Sequence, residues 1–596
     1  MQRRKLIDVA LGRACADVIV RGGHVVHVHT GEVLRGDVAV VGDRIAAVGM
    51  LPDACTGPST GLVEAEGLFV APGLIDGHLH YHHTYLDASE AAKLLLKHGI
   101  TGTADGFYGE AIVGGIEAVR ALKDAMNKVK IRLIFLAPTT AYLQNRMFGL
   151  KAAKAVSIAD LHEMLDWDGC YGLDETPFSS VIDKDEGMLG LFEAALAKGK
   201  VVTGHVRGAT EQQVQVFAAM GGTVDHEAVD LADVLARARA GLKVLMRFGS
   251  GVPDLPNLLA AYTEVGISMR QLAVCTDVLL PEAIFEGGVD VAVRMLMAAG
   301  VKPADAIAMG SLNVAEAFRA DHDMGSITPG RFADLVLLSD LAAFKVEKVL
   351  FGGEAVGAEA AAADGVRYPA FMTDTVRLER SLTPTDFQVR TERADGPVEV
   401  RVIGVSTTDL VTTELVATLA AKDGLIAADP RQDVAMTAMV DRLGKGSGMS
   451  VAFIKGFGLT AGAIGSTHNA VCENLALVGT NGADMAFAAN QLRRMGGGQV
   501  VVRDGQVLAA FPMPVLGLFS DRPYEEVLAS RLDIQAAADA LGCTLNDPLL
   551  KLEFSYACAE FPLLRMSEEG LFRTDTKERL GVEREADFPH ADLFIE

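Results

Sequence analysis

The sequence predicts a mixed α/β chain: a (β/α)8 barrel, a small β domain built from both flanks of that barrel, and a further α/β domain on the C-terminal side. Three observations point there. Short apolar runs alternate with helix-like stretches from about Pro72 to about Phe318, Val-rich segments punctuated by Gly and Asp lie on both sides, and a third block with its own strand-and-turn pattern runs from about Leu382. A chain of 596 residues also exceeds one ordinary hydrophobic core, so two or three domains are expected.

The first flank, residues 1–71, contains "ADVIVRGGHVVHVHTGEVLRGDVAVVGDRIAAVG", which reads as strands of a small sheet. The barrel is expected over residues 72–320. Its strand candidates are "GLIDGHLH", "ITGTADGF", "IRLIFLAPTT", "GCYGLDE", "KVVTGH", "GTVDHE", "LKVLMRFGS" and "LAVCTD", separated by helix-like stretches such as "ASEAAKLLLKHG" and "MLGLFEAALAKGK". Residues 321–365, with "GSITPGRFADLVLLSD", are expected to return to the small sheet and to end in an Ala-rich linker, "GAEAAAADG". Residues 382–596, with "VAFIKGFGL", "LALVGTN" and "GGGQVVVRDGQVLAAFPMP", form the last domain.

Composition narrows the partners. A formal net charge of -24 argues against a nucleic acid or an anionic membrane surface, both of which reward surplus Lys and Arg. No uninterrupted apolar run of about 18 residues is present, so no membrane span is expected. The opening "MQRRKLIDVALGRACADVIV" resembles a signal peptide, but Asp8 and Arg13 interrupt the apolar centre that export requires, and it reads as mature protein. Seven scattered cysteines without a CxxC pair suit a reducing cytoplasm.

Chemistry-bearing residues gather at the ends of the predicted barrel strands, where the active sites of such barrels lie. They are His78, His80, Glu175, His205, His226 and Asp277. Imidazoles and carboxylates around one or two divalent ions can generate hydroxide at neutral pH, which hydrolysis of an unactivated C–N bond requires. Strand alternation puts His78, His80 and His82 on one face and turns His83 away, so His82 is expected to touch substrate and His83 to be structural. Glu227 follows His226 directly and would face away in a regular strand; it reaches the site only if the chain bends there. The spacing of His27 and His29 in "VVHVHTG" is the same, but no barrel half-unit follows, and a structural role in the small sheet is expected.

Over nearly its whole length the sequence resembles the adenine deaminase family of the amidohydrolase superfamily. The carrying stretches are "PGLIDGHLH", "YGLDE", "TVDHE", "AVCTD", "GSLNVAEAF", "GRFADLVLL", "VAFIKGFGL", "LVGTNGADM", "MGGGQVVVRDGQVLA" and "LGCTLNDPLL". The resemblance implies an amidohydrolase barrel with two divalent ions, manganese or iron or else zinc, and a small-molecule substrate in a homo-oligomer, a dimer. His78, His80 and Asp277 would bind one ion, His205 and His226 the second, and Glu175 would bridge them. Asp277 would also take a proton from the attacking water, and Glu227 and His82 are the further catalytic candidates.

The match departs from the family around the expected pocket. Where the family reads H-x-H-I-E-S-S, this chain has "HLHYHHT"; D-P-H-E becomes "DGFY", Asp105 to Tyr108, with Glu110 nearby; C-T-D-D-R-H-P becomes "CTDVLLP"; and H-D-S-H-N becomes "AVCEN". Tyr81, Tyr85, Phe107 and Tyr108 are added near the pocket, Tyr108 being expected to contact substrate. Arg207 replaces a family proline and is expected to anchor an anionic substrate group or else to pair with a nearby acid. Adenine or a related purine is one substrate class and a cyclic amide, imide or other heterocycle is the alternative. A non-catalytic binding protein on the same fold is the third reading, against which the complete set of metal-type residues argues.

Overall fold

The computed structural model describes residues 2–147, 156–357, 366–407, 410–444, 446, 448–556, 564–574, 576 and 578–584. The expected Ala-rich linker beyond Gly357, Cys558 and the final twelve residues lie outside them.

Eight parallel strands form the barrel: β1 (Leu74–Asp76), β2 (Ile100–Asp105), β3 (Arg132–Pro138), β4 (Cys170–Pro177), β5 (Val201–His205), β6 (Val224–Asp225), β7 (Lys243–Arg247) and β8 (Leu272–Cys275). Each pairs with the next in sequence. The ring closes where the chain beyond β1 meets the chain beyond β8. Asp277 N donates to His78 O at 2.7 Å, and His80 N donates to Asp277 O at 3.1 Å. Ile75, Ala104, Leu136, Val201, Val224 and Leu245 are packed in the interior, over the helix Leu312–Ala317. Asn313 Nδ2 donates to Leu272 O, at the start of β8, so this helix stops the end opposite to the strand termini.

Local sequence explains the alternation. Asp87 caps the helix Ala88–Lys97 by accepting from Ser89 N and Glu90 N. Gly99, at φ +77°, then adopts the left-handed conformation that lets the chain turn straight into β2.

Strands from both flanks share one sheet, in the order Glu354–Val356, Lys345–Phe351, Leu335–Asp340, Phe69–Pro72, Val18–His27, Glu32–Val41 and Arg44–Gly49, with Gly61–Glu64 beside Val18–His27. His27 ends one of these strands, away from the barrel mouth. Beyond the barrel, a ten-stranded sheet runs from Val389–Arg390 at one edge to Gln506–Pro512 at the other. It reaches the barrel mouth through Ser520, whose N donates to Tyr85 O at 2.9 Å. Among the described residues, no helix is long and apolar enough to cross a membrane.

Candidate metal centre

The first barrel strand is shorter than its apolar run. It stops at Asp76, whose buried carboxylate accepts from His78 N at 3.2 Å, Thr276 N at 3.0 Å and Thr276 Oγ1 at 2.6 Å, which diverts the chain from the sheet ladder. His78 and His80 therefore lie on a bent segment, followed by a 3-10 turn over Tyr81–Thr84. Strand alternation no longer governs the histidines after it.

The six candidate ligands converge. Glu175 Oε1 lies 3.3 Å from His78 Nε2, 3.3 Å from His80 Nε2, 3.6 Å from His205 Nδ1 and 3.5 Å from His226 Nε2. Asp277 Oδ1 is 3.4 Å from His80 Nε2 and 3.9 Å from His78 Nε2. Two donor groups result, His78–His80–Glu175–Asp277 and Glu175–His205–His226, and Glu175 belongs to both. All six side chains are buried. Glu175 and Asp277 have φ values of 38° and 66°, conformations that non-glycine residues rarely adopt and that surrounding structure must enforce.

Behind the imidazoles stand further carboxylates: Asp174 is 3.8 Å from His78 Nδ1 and Asp105 is 3.7 Å from His80 Nδ1. These distances are longer than hydrogen bonds, but each carboxylate stands on the side of the ring away from the cage, where the outer partner of a metal-bound imidazole belongs.

The electrostatics favour cations. Burial penalises the charge of Asp277, but His80 and Arg247 more than offset it and hold the carboxyl well below its usual range. Glu227 is likewise held down against burial by Arg247 and His205. On His226 burial opposes protonation, yet Glu175 and Glu227 raise it to about 10. The buried carboxylates thus demand nearby positive charge. His226 Nε2, the nitrogen aimed at Glu175, has no hydrogen-bond partner, and an imidazole nitrogen buried in that state is what a ligand to an ion presents. Two divalent ions fit these residues.

Several expectations change. Glu227 does not face away: β6 is only two residues long, and Asp225 Oδ2 accepts from Glu227 N at 3.1 Å, which bends the chain. Glu227 Oε1 consequently lies 3.4 Å from both His205 Nδ1 and His226 Nε2 and accepts from Arg247 Nη1 at 2.6 Å. The histidine on the cavity wall is His83, while His82 is wholly buried behind it with Nδ1 3.2 Å from Glu110 Oε2. The 3-10 turn causes this exchange. Of the two roles expected for Arg207, the contact found is the one with an acid: its Nη1 lies 3.4 Å from Glu227 Oε2, and Arg207 is not among the residues lining the cavity. Of the added aromatics only Tyr108 lines the cavity; Tyr81 OH bonds Thr103, Tyr85 OH bonds Glu553 and Phe107 stacks on Phe135.

The cavity measures about 460 Å³, counting its open mouth. Its floor carries His80, Glu175, His205, Glu227 and Asp277, and Tyr108, Thr140 and His83 supply further polar atoms. Val252 and Val278 from the barrel and Leu410, Val471 and Phe554 from the chain beyond it form an apolar wall. Arg247 was missed by the sequence reading although its signal was present, a charged side chain closing an apolar strand run as the histidines do. Glu553 and His468 gave none.

Residues 69–356 match the amidohydrolase family and residues 409–578 the adenine deaminase C-terminal domain. The chain is 34% identical over 578 residues to the adenine deaminase of Moorella thermoacetica, covering 96% of each chain. It is 34% identical over 607 residues to that of Mesorhizobium japonicum, covering 99% of this chain and 96% of the other. Adenine deaminase 3 of Rhizobium meliloti is 36% identical over 578 residues, covering 95% and 96%.

Proposed function

The chain belongs to the adenine deaminase family of the amidohydrolases, and from that premise we propose that it hydrolyses the exocyclic C–N bond of adenine or a closely related purine, releasing ammonia, with two divalent ions. The observation that carries this reading is the position of Glu175 Oε1, within 3.6 Å of four imidazole nitrogens from three places in the barrel, the segment after β1, the end of β5 and the end of β6. His78, His80 and Asp277 would hold one ion and His205 and His226 the other, with Glu175 available to both. Manganese or iron suits this mixed nitrogen and carboxylate set, and zinc also fits it. The ions supply Lewis-acid polarisation and acidify water to near neutrality.

The remaining work falls to the side chains. Asp277, ionised at rest beside Arg247, accepts a proton from the attacking water, becoming neutral, and then returns that proton to the departing amine. Glu227 holds His205 and His226 in place, and Arg207 holds Glu227 from its other oxygen. Tyr108 and His83 meet the ring of the substrate, while the apolar wall excludes bulk water. His82 supports His83 from behind. A homodimer rests on the family resemblance, and a cytoplasmic location is supported by the six described cysteines forming no disulfide, which suits a reducing compartment.

A second reading is favoured by the cavity wall. Val252, Val278, Leu410, Val471 and Phe554 offer no donor or acceptor to a purine edge, which suits a cyclic amide or imide better. kcat/KM for adenine in metal-replete protein separates the two. A value of about 10⁴ M⁻¹s⁻¹ or more supports adenine; one lower by several powers of ten, beside rapid opening of a cyclic amide, supports the second reading.

A further inference from the structure

A second group of histidines lies beside the catalytic cavity; His83 among them faces the proposed substrate, but none belongs to the six catalytic ligands or carries a proton-transfer step. His82 and His83 come from the turn after β1, and His468 follows the strand Ala463–Ser466 of the large sheet. Their ligand atoms lie within 4.8 Å of one another. Glu553, at the end of the helix Pro548–Glu553, adjoins two of the three: its Oε1 is 2.6 Å from His83 Nδ1 and 3.1 Å from His468 Nδ1. All four side chains are essentially inaccessible.

These contacts lack the alignment of hydrogen bonds. Both ring nitrogens of His82 and of His468, Nδ1 of His83 and Oε1 of Glu553 are buried without a hydrogen-bond partner. The atoms on the far sides are engaged: His83 Nε2 pairs with Tyr108 OH at 3.1 Å, and Glu553 Oε2 accepts from Tyr85 OH at 3.2 Å. Those bonds turn the unpartnered His83 nitrogen and Glu553 oxygen towards each other, the arrangement by which outer groups orient metal ligands.

We propose that His82, His83, His468 and Glu553 form a third metal site, for a divalent transition ion with zinc-like preference for imidazole, tying the barrel mouth to the C-terminal sheet. Three imidazoles and one carboxylate complete a four-coordinate shell, with no position left open, as in structural sites. Bonds of about 2.0–2.1 Å place tetrahedral ligands roughly 3.3 Å apart, so the three imidazole nitrogens, now within 4.8 Å of one another, and Glu553 would draw together around the ion. The site shares no residue with the six ligands of the catalytic pair, and its position behind His83 would fix one wall of the cavity.

The test is metal counting on the full chain. Protein loaded with zinc and freed of excess should carry three ions per chain. His468→Asn and Glu553→Gln, the second of which keeps the shape of the side chain, should each carry two. Glu175→Gln should keep the ion that depends on His468. Loaded with cobalt(II), the wild type should show the visible absorption of a four-coordinate site, and His468→Asn should lose it. Two ions in the wild type, unchanged in both variants, would overturn the proposal, and so would three ions that persist in both. A single ion that His468→Asn removes would instead overturn the catalytic pair and leave this site standing.

Discussion

Arg247 Nη1 donates to Asp277 Oδ2 at 3.1 Å from a position with no solvent exposure, beneath the candidate metal centre. The same nitrogen donates to Glu227, and Nε and Nη2 both donate to Asp254 Oδ2. One fixed cation therefore stands between two carboxylates of the site and a third below it. It keeps Asp277 and Glu227 ionised and holds all three in place before any ion binds.

Arg247→Met should accordingly damage both stability and turnover. Removing one partner from a buried ionic network costs on the order of 3–5 kcal/mol, because the remaining charges are left uncompensated. kcat should fall at least ~100-fold as Asp277 and Glu227 lose their common support. Thermal unfolding and steady-state rates on metal-replete protein check this; an unchanged kcat would remove Arg247 from the site.

Glu175→Gln tests the bridging assignment. The amide keeps the shape but withdraws the negative charge on which four imidazoles converge, so metal content at the catalytic pair should drop sharply. Both catalytic ions retained, together with full activity, would sink the bridge.

Asp277→Asn removes a negative ligand and the proton acceptor together. Turnover should fall by at least ~100-fold, the scale of lost general acid–base catalysis. Comparing Asp277→Asn, Arg247→Met and the double variant adds a check. Residues acting through one another should show far less than additive losses, and simple additivity would separate them.

The fold class and the converging ligands were legible because both depend on local pattern. Apolar runs ending in His, Glu or Asp reveal strands whose ends share one mouth, and paired Val-rich flanks reveal a sheet closed from both sides. The failures came from side chains that capture backbone. Asp76 ends β1 and Asp225 ends β6, and neither interruption is visible in hydrophobic periodicity. Those two aspartates decide that His83 rather than His82 lines the cavity and that Glu227 turns inward. Glu553 lies 470 residues from His83, a pairing that only tertiary packing creates.

Arg207 separates the anchor expected from sequence from the positioning role that the structure favours. With Nη1 3.4 Å from Glu227 Oε2, its loss should act through Glu227 on every substrate alike. Arg207→Met should therefore lower kcat/KM for neutral and carboxylated substrates by the same factor. A selective rise in KM for carboxylated substrates alone would restore the anchor.

Phe554 tests whether the chain beyond the barrel completes the substrate pocket. Its ring lies nearly parallel to that of His83, with centroids 5.9 Å apart and an interplanar angle of 19°, and both line the cavity above the catalytic floor. A flat heterocycle brought to the metals would lie against this pair, and ring stacking is worth about 0.5–1.5 kcal/mol beyond buried area. Adding the lost apolar contact, Phe554→Ala should raise KM by roughly tenfold or more, since about 1.4 kcal/mol corresponds to a factor of ten. kcat should change less, because Phe554 is not one of the six candidate ligands, and the content of the catalytic metals should remain that of the wild type. Phe554→Leu, which restores bulk without the aromatic face, should recover only part of the lost affinity. A variant with normal KM but collapsed kcat would mean that Phe554 supports the metal cage rather than the substrate, and the barrel would then form the pocket without help from the C-terminal side.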